Sequence, residues 1–312
     1  MLRQNKGLLA EQQTEFGYVL QMIRIGVDFG GTKIEAAALD AGGRFLARVR
    51  VLTPDAYEDR LEATLEAVSE AERQAGTSVA RLGVGGPGSP SPVTGLMRNS
   101  NSTVLNDRPF PADLERVLGR PVRYANDANC LALSEATDGV AAGVGVVFAV
   151  IIGTGCGAGI AFDGRPVAGR NLIAGEWGHT PLPWPRPKEL PGPVCWCGRR
   201  NCLELWLSGT GFARDAGISA EDAVASGDMA ALDRYIDRLG RGLAVVVDLL
   251  DPDMIVLGGG MSNIARLYEG LPAAISPHVF SDVFTTPIAK ALHGDSSGVR
   301  GAAWLWPQEP SG

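Results

Sequence analysis

The chain has 312 residues, of which 45% are hydrophobic, and a formal net charge of −7. This length and apolar content predict a large buried core and about two domains. The acidic balance argues against nucleic-acid binding, which requires a basic face. Since the N-terminus lacks an apolar run long enough for export, we expect a cytoplasmic protein.

Residues 1–21 show no clear periodicity, and we interpret them as an N-terminal extension that activity does not require. A short apolar strand at residues 23–27 is followed by Asp28, Gly30, Gly31, Thr32 and Lys33, and a second strand resumes at residues 34–39. Glycines let backbone N–H groups approach an anion, and an aspartate can hold Mg²⁺ through water. The turn therefore predicts a phosphate-binding hairpin, although an ordinary Gly-Gly hairpin is the alternative.

An amphipathic helix is predicted at residues 60–74, and the next strand, at residues 82–84, ends in a glycine-rich bend. The polar stretch that follows contains Asn99, Asn101 and Asn106. Their amides can donate to and accept from hydroxyl groups, but asparagine in loops usually closes a turn.

The next strand, at residues 121–125, runs into Asn126 and Asp127, which precede a helix at residues 130–136. Ligands of open α/β sheets gather beyond the carboxyl ends of strands, so a carboxylate here is well placed for chemistry. The alternative is that Asp127 only caps the following helix, and the motif alone favours this capping role.

Residues 139–162 carry no charged side chain, which raises the question of a membrane span. Glycines interrupt this segment, and its apolar part, residues 146–152, is strand-sized, so we predict a buried strand and a turn and no membrane association. The turn contains Gly153, Thr154, Gly155, Cys156 and Gly157. This order of strand, glycine-rich tip and strand is the same as in the first hairpin. The repetition predicts a duplicated fold in which two phosphate-binding hairpins hold a nucleotide between two domains.

Residues 175–204 place His179, Cys195, Cys197 and Cys202 in one proline-rich loop. Imidazole and thiolate are preferred zinc ligands, and one nitrogen with three sulfurs closes a tetrahedral shell, so we predict a structural Zn²⁺ site. Buried thiols or a disulfide are the alternatives. The same loop carries Glu176 and Glu204, two carboxylates suited to a polar sugar pocket.

A long helix is predicted at residues 229–250, followed by a strand at residues 254–257 that ends in Gly258, Gly259 and Gly260. A strand end without side chains could admit adenine and its ribose, or could be a bare turn. The chain closes with a small-residue helix at residues 298–306 that we expect to pack on the first domain.

Taken together, the motifs resemble the ROK family of sugar kinases and repressors, which has the duplicated actin-like (ribonuclease H-type) α/β fold. The resemblance covers residues 22–308. It rests on DFGGTK, NSNSTVLNDRPF, ANDANCLALSEA, VFAVIIGTGCGAG, GEWGHTPLPW, the cysteine cluster, LDPDMIVLGGGMSN and HGDSSGVRGAAWLWPQE. It implies one domain at residues 22–128 with 298–312, a second at 129–297, and a cleft between them.

The resemblance also implies residue roles. Asp127 would be the general base, and sugar contacts would come from Asn101, Asn126, Asp127, Glu176, His179 and Glu204. The two glycine tips would hold the phosphates of ATP with Mg²⁺, and residues 258–260 would flank the adenosine. Asn201 departs from the family's usual glycine, but asparagine tolerates the left-handed backbone that glycine supplies.

Within the family, the chain looks most similar to bacterial fructokinases of the mannokinase/fructokinase type. The expected partners are thus ATP and a hexose, most readily D-fructose, in a homodimer. Glucokinase and N-acetylglucosamine or N-acetylmannosamine kinase are alternatives. A sugar-sensing repressor belongs to another class and would need a DNA-binding domain ahead of the first strand, where only the 21-residue extension stands.

Overall fold

The computed structural model describes residues 23–79 and 81–307. They form two compact units, one running up to Asp127 and resuming at Gly298, and the other spanning Ala128–Ser297. The extension predicted at residues 1–21 lies outside the described residues.

The first unit contains a five-stranded sheet. Its strands are β1 (Arg24–Phe29), β2 (Lys33–Leu39), β3 (Phe45–Leu52), β4 (Leu82–Gly86) and β7 (Val122–Asn126), and their order is β3-β2-β1-β4-β7. The first three strands pair antiparallel, whereas β4 is parallel to both β1 and β7. Two short strands, β5 (Ser89–Pro90) and β6 (Met97–Arg98), form a separate ribbon.

Helices cover this sheet. They are α1 (Tyr57–Ala75), α2 (Phe110–Leu118) and, from the C-terminal end of the chain, α9 (Ser297–Trp304). Helix α1 buries a stripe that includes Leu61 and Val68 and ends at Gly76, whose left-handed backbone (φ 66°) closes the last turn. The amphipathic helix predicted here is confirmed and is a few residues longer at its N-terminus.

Helix α9 lies directly on the strand backbone because glycines face it. A Cβ atom built on Gly83 of β4 would lie 1.7 Å from the carbonyl oxygen of Ala302, and one on Gly26 of β1 would lie 2.1 Å from that of Val299. The expected packing of the C-terminal helix on the first unit is confirmed.

We expect Gly83→Ala to destabilise the protein by about 3 kcal/mol, because its new methyl group meets backbone that no rotamer change can move. Gly42→Ala is the matched control, since its Cβ would meet only an Asp40 side-chain oxygen at 3.5 Å. Urea unfolding followed by circular dichroism measures both changes. Equal midpoints for the two variants would contradict this account of the helix packing.

The second unit repeats the architecture of the first. Its sheet is ordered β10-β9-β8-β11-β12, with β8 (Val146–Ile152), β9 (Cys156–Phe162), β10 (Arg165–Pro166), β11 (Met254–Gly258) and β12 (Ile288–Lys290). The strands β8, β9 and β10 pair antiparallel, and β11 is parallel to its two neighbours. Strand order and directions match those of the first sheet, so the predicted duplicated fold is confirmed.

Strand β8 is covered on both faces. Phe148 and Val150 face a core formed with α7 (Met229–Leu250), whereas Val147 and Ala149 face a core formed with α3 (Asp127–Thr137). The remaining helices are α4 (Glu204–Leu207), α5 (Gly209–Ala216), α6 (Ala220–Ser226) and α8 (Ala265–Ile275). The uncharged segment at residues 139–162 thus supplies a buried hairpin, as predicted. Across residues 23–79 and 81–307, no helix has the length and apolarity needed to cross a membrane.

Candidate functional site

The first glycine tip connects β1 to β2. The N–H of Gly30 donates to the carbonyl oxygen of Lys33 at 3.0 Å, and the Thr53 hydroxyl donates to the carbonyl oxygen of Gly30 at 2.8 Å. Gly31 and Thr32 are exposed at the apex. The chain forms a hairpin here, and its apex presents backbone rather than large side chains, as an anion site requires. Phosphate binding at this tip stays a prediction.

Asp28 lies in β1 just before this tip and is half-buried. Burial, followed by repulsion from the Asp127 and Glu35 carboxylates, raises the pKa of Asp28 to about 6. A Cβ atom on Gly298, in the first turn of α9, would lie 3.0 Å from Asp28 Oδ2, so a larger residue at this position would crowd the carboxylate. Mutually repelling carboxylates gain from a divalent cation, and oxygen ligands of this kind fit Mg²⁺.

Asn126 and Asp127 stand at the same edge of the sheet as Asp28. Asn126 ends β7 and pairs with Gly86 at the end of β4, whose neighbour Gly85 pairs with Asp28. Asp127 is the first residue of α3 and is exposed. A carboxylate in the first turn is favoured by the helix dipole, and its exposure leaves it accessible to a substrate hydroxyl.

The loop that contains Asn101 is stabilised by Asn106, a second asparagine of the same polar stretch. Asn106 accepts from the N–H of Ser100 and donates to its carbonyl oxygen, both at 3.0 Å. Asn106 therefore closes a turn, while Asn101 is exposed next to it. Of the three asparagines considered for this loop, Asn99 adopts a left-handed backbone (φ 56°), which also indicates a turn.

The second glycine tip connects β8 to β9 and is tied to the start of α5. The N–H of Gly153 donates to the carbonyl oxygen of Gly155 at 3.0 Å. The N–H of Gly209 donates to the carbonyl oxygen of Gly153 at 2.7 Å, and the Thr210 hydroxyl donates to that of Thr154 at 2.9 Å. Thr154 and Gly155 remain exposed.

Cys156 differs from the other members of this tip. Burial raises the pKa of its thiol above the usual range, so the side chain is an inert core group. Its N–H donates to Glu204 Oε2 at 3.3 Å. A phosphate that uses this N–H would have to share it with Glu204. The glycine motif alone could not predict this hydrogen bond from the Cys156 N–H to Glu204, because Glu204 lies 48 residues further along the chain.

The glycine triplet after β11 borders a cavity of about 500 Å³ within the second unit. Gly259 has a left-handed φ of 81°, and a Cβ on it would lie 2.6 Å from the carbonyl oxygen of Ile152. Side chains that the sequence analysis did not single out also line the cavity, among them Lys290, His293 and Asp295. Its size suits a nucleoside.

Glu135 holds one wall of this cavity. It is fully buried in α3 and accepts hydrogen bonds from the backbone N–H groups of Leu292 and His293 at 2.9 and 3.1 Å. The Ser297 hydroxyl donates to the same carboxylate at 3.1 Å. The position of the segment that lines the cavity therefore depends on one buried carboxylate.

The four predicted metal ligands converge. The ligand atoms of His179, Cys195, Cys197 and Cys202 all lie within 4.8 Å of one another. The Nδ1 atom of His179 is 3.6 Å from Cys195 Sγ, and the sulfurs of Cys197 and Cys202 are also 3.6 Å apart. Tetrahedral zinc with Zn–S bonds of about 2.3 Å separates its sulfurs by roughly 3.8 Å, so the set fits zinc. All cysteines are free, which rules out the disulfide alternative among them.

Tight backbone turns present these ligands. The N–H of Cys195 donates to the carbonyl oxygen of Arg199 at 2.7 Å, and Gly198 is left-handed (φ 84°). Asn201 is left-handed as well, with a φ of 63°, and its Oδ1 accepts from Trp206 Nε1 at 2.7 Å. The prediction that asparagine can replace the glycine of this turn is confirmed.

The two carboxylates of this loop are both half-buried. Glu176 begins a short 3₁₀ helix that ends at His179, and the preceding Gly175 packs so closely on β9 that a Cβ would lie 2.2 Å from the carbonyl oxygen of Ala158. Glu204 begins α4 directly after the last cysteine ligand and accepts from Trp196 Nε1 at 2.8 Å. Both therefore lie at the borders of the metal cluster.

The proline-rich part of the loop is anchored by Glu189, which is only 4% exposed. Arg238 Nε donates to Glu189 Oε1 at 2.9 Å, and Arg241 donates to both of its carboxylate oxygens at 2.8 and 3.0 Å. Burial alone would raise the pKa of Glu189, but hydrogen bonds from Arg241 and Arg238 outweigh it and lower the pKa to about 2.

We expect Glu189→Gln to destabilise the protein by about 3 kcal/mol at pH 7, because Arg238 and Arg241 lose their most buried counter-charge and keep only the more exposed Asp215 and Asp237. The depressed pKa of Glu189 contributes stability above its unfolded value of 4.5 that is lost as the pH falls towards 2. The difference between wild type and variant should therefore shrink below about pH 4.5 in urea unfolding. Asp233→Asn, which breaks an exposed pair with Arg266, is the control and should cost at most about 1 kcal/mol. A constant difference across this pH range would contradict the assignment.

The family model described as "ROK family" matches residues 24–309. An N-acetyl-D-glucosamine kinase of Escherichia coli O127:H6 is 37% identical over 297 residues, covering 90% of this chain and 98% of that protein. The structure of ROK hexokinase from Thermus thermophilus is 34% identical with a TM-score of 0.80, covering 91% of this chain and 97% of that one. A ROK family glucokinase from Streptomyces griseus, in complex with glucose and AMPPNP, is 28% identical with a TM-score of 0.74, covering 92% and 100%.

Proposed function

Because the chain belongs to the ROK family, we propose that it is an ATP-dependent hexose kinase whose substrate is N-acetyl-D-glucosamine. The observation that carries this proposal is the full-length similarity to an N-acetyl-D-glucosamine kinase, at 37% identity over 98% of that protein. The geometry within each unit supports it, since Asp127 is exposed, both glycine tips are exposed at Gly31 and Gly155, and a cavity of about 500 Å³ borders the glycine triplet.

Asp127 is the proposed general base. It is exposed at the carboxyl edge of the first sheet, where an acceptor hydroxyl can reach it, and its charge influences the neighbouring Asp28. It would accept the proton of the hexose hydroxyl as the oxygen attacks the γ-phosphorus of ATP, and ADP would leave. Proton transfer of this kind contributes about 10²–10⁴-fold to the rate.

The phosphates of ATP are proposed to bind at the glycine tips. The exposed apices at Gly31 and at Gly155 can approach phosphate oxygens closely, and Lys33 adds a positive charge. Asp28 is the proposed carboxylate for Mg²⁺, which when bound would neutralise charge on the transferred phosphoryl group. The adenosine would occupy the cavity beside Gly258, Gly259 and Gly260.

We propose the sugar contacts that the family resemblance implies. In the first unit, we assign them to Asn101 and Asn126. In the second unit, they are Glu176, Glu204 and the Nε2 atom of His179, since Nδ1 faces the thiol cluster. A structural zinc ion at Cys195, Cys197, Cys202 and His179 would fix the imidazole and the loop, and no open coordination position would remain for water.

The sugar identity is taken from the relatives. The sequence motifs favoured fructose by resemblance, but the relatives reported above are described as an N-acetyl-D-glucosamine kinase, a hexokinase and a glucokinase. The second candidate substrate is therefore glucose, which the Streptomyces griseus enzyme binds. Fructose and mannose are the less favoured possibilities.

A panel of sugars tests the proposal. Initial rates of ADP formation would be measured side by side with N-acetylglucosamine, N-acetylmannosamine, glucose, mannose and fructose, with ATP and Mg²⁺ present. We expect the highest kcat/KM with N-acetylglucosamine. A higher kcat/KM with fructose would restore the assignment from the motifs, and the absence of sugar-dependent ADP formation would overturn the proposed activity.

A further inference from the structure

Trp196 is a large aromatic side chain in an unusual position. It lies between two of the candidate metal ligands, Cys195 and Cys197, yet it is 58% exposed. Its ring and that of His179 form a T-shaped pair, with centroids 4.9 Å apart and an interplanar angle of 87°. The metal turn thus holds an exposed indole beside a residue assigned to the sugar.

The same indole also fixes a second residue of the proposed sugar site. Trp196 Nε1 donates to Glu204 Oε1 at 2.8 Å, while Glu204 Oε2 accepts from the N–H of Cys156 at 3.3 Å. The carboxylate is therefore held from two sides. Each carboxylate oxygen still has a lone pair for a hydroxyl group.

The surroundings of Trp196 differ from those of the other exposed tryptophan of this loop, Trp184. Among the described residues, Trp184 is the other tryptophan with a large exposed area, at 50%. Its ring stacks on His278 with centroids 4.9 Å apart and an interplanar angle of 21°, so one of its faces is already covered. The Trp196 ring meets its histidine edge to face and has a hydrogen-bonded N–H aimed at Glu204.

We infer that Trp196 is a substrate-binding residue of the proposed kinase: its N–H orients Glu204, and its exposed ring contacts the apolar C–H face of the hexose or the methyl of an acetamido group. An aromatic ring with one polar handle suits a ligand that is polar at its edge and apolar on its face. This inference rests on the proposed function, because the ligand of Glu204 and His179 is taken to be the sugar.

Substitution separates the two contributions of the indole. Trp196→Phe keeps an aromatic ring and loses the N–H, whereas Trp196→Ala loses both. We expect KM for N-acetylglucosamine to rise roughly tenfold in Trp196→Phe, as for loss of a hydrogen bond to a charged group, and further in Trp196→Ala. KM for ATP and the zinc content should stay unchanged. The matched control is Trp184→Phe, which should leave all of these values unchanged.

Intrinsic fluorescence gives a readout that does not depend on turnover. Adding N-acetylglucosamine without ATP should change the emission of the wild type and of Trp184→Phe, but not of Trp196→Phe. An emission change that persists in Trp196→Phe, or an unchanged KM in both Trp196 variants, would overturn the inference. Zinc loss in both variants would also overturn it, since the side chain would then act on the metal turn. A wild type without any sugar-dependent activity would instead refute the proposed function.

Discussion

Replacing Asp127 with asparagine should lower kcat by about 10²–10⁴-fold, because the amide cannot accept the hydroxyl proton. The substitution keeps the size of the side chain and removes one charge at the exposed start of α3. ATP binding, measured by calorimetry, should therefore persist. Loss of the Asp127 charge should also lower the pKa of Asp28, since repulsion between the two carboxylates contributes to its raised value.

The control for this substitution is Asp55→Asn, an exposed aspartate of the same unit outside the candidate site. Its kcat should equal that of the wild type, and both variants should unfold at similar urea concentrations. If Asp127→Asn turns over within about tenfold of the wild type, below the range expected for a general base, then Asp127 is not the base.

The second large effect concerns the metal cluster. Elemental analysis should find about one zinc per chain, and Cys197→Ala should lose most of it, since three ligands do not complete the closed tetrahedral shell. The KM for the sugar should rise with zinc loss, because His179 is one of the ligands and Glu204 lies beside the cluster. Zinc release should also destabilise the loop, as metal binding free energy contributes to folding.

Cys130→Ala is the matched control, because Cys130 is a buried cysteine of the same unit that forms no disulfide and lies outside the cluster. It should retain full zinc content and sugar affinity. Zinc absent from the wild type, or full zinc in Cys197→Ala, would contradict the assignment of the four ligands.

Much of the fold could be predicted because its signals are local. A strand, a glycine-rich tip and a second strand recur at residues 24–39 and 146–162, and the structure shows antiparallel hairpins at both places. The helix Met229–Leu250 has the predicted boundaries because a capping Asp228 and an Asp-Pro pair mark its ends. The metal ligands were also readable, since imidazole and thiol groups in one loop have few other uses.

Contacts between distant residues could not be predicted. Glu189 lies 49 and 52 residues before Arg238 and Arg241 in the sequence, and only folding shows that its carboxylate binds both arginines in a buried network. Likewise, the sequence places Trp196 among metal ligands but does not reveal its hydrogen bond to Glu204. The motifs also could not separate one hexose from another, because discrimination between sugars that differ at one hydroxyl depends on the orientation of a few side chains.

The most direct test of the account is transfer of a radiolabelled γ-phosphate from ATP to N-acetylglucosamine by the wild type and by Asp127→Asn. The account predicts a labelled sugar phosphate with the wild type, in proportion to the ADP formed, and almost none with the variant. Labelled inorganic phosphate without sugar phosphate, or equal transfer by both proteins, would contradict it.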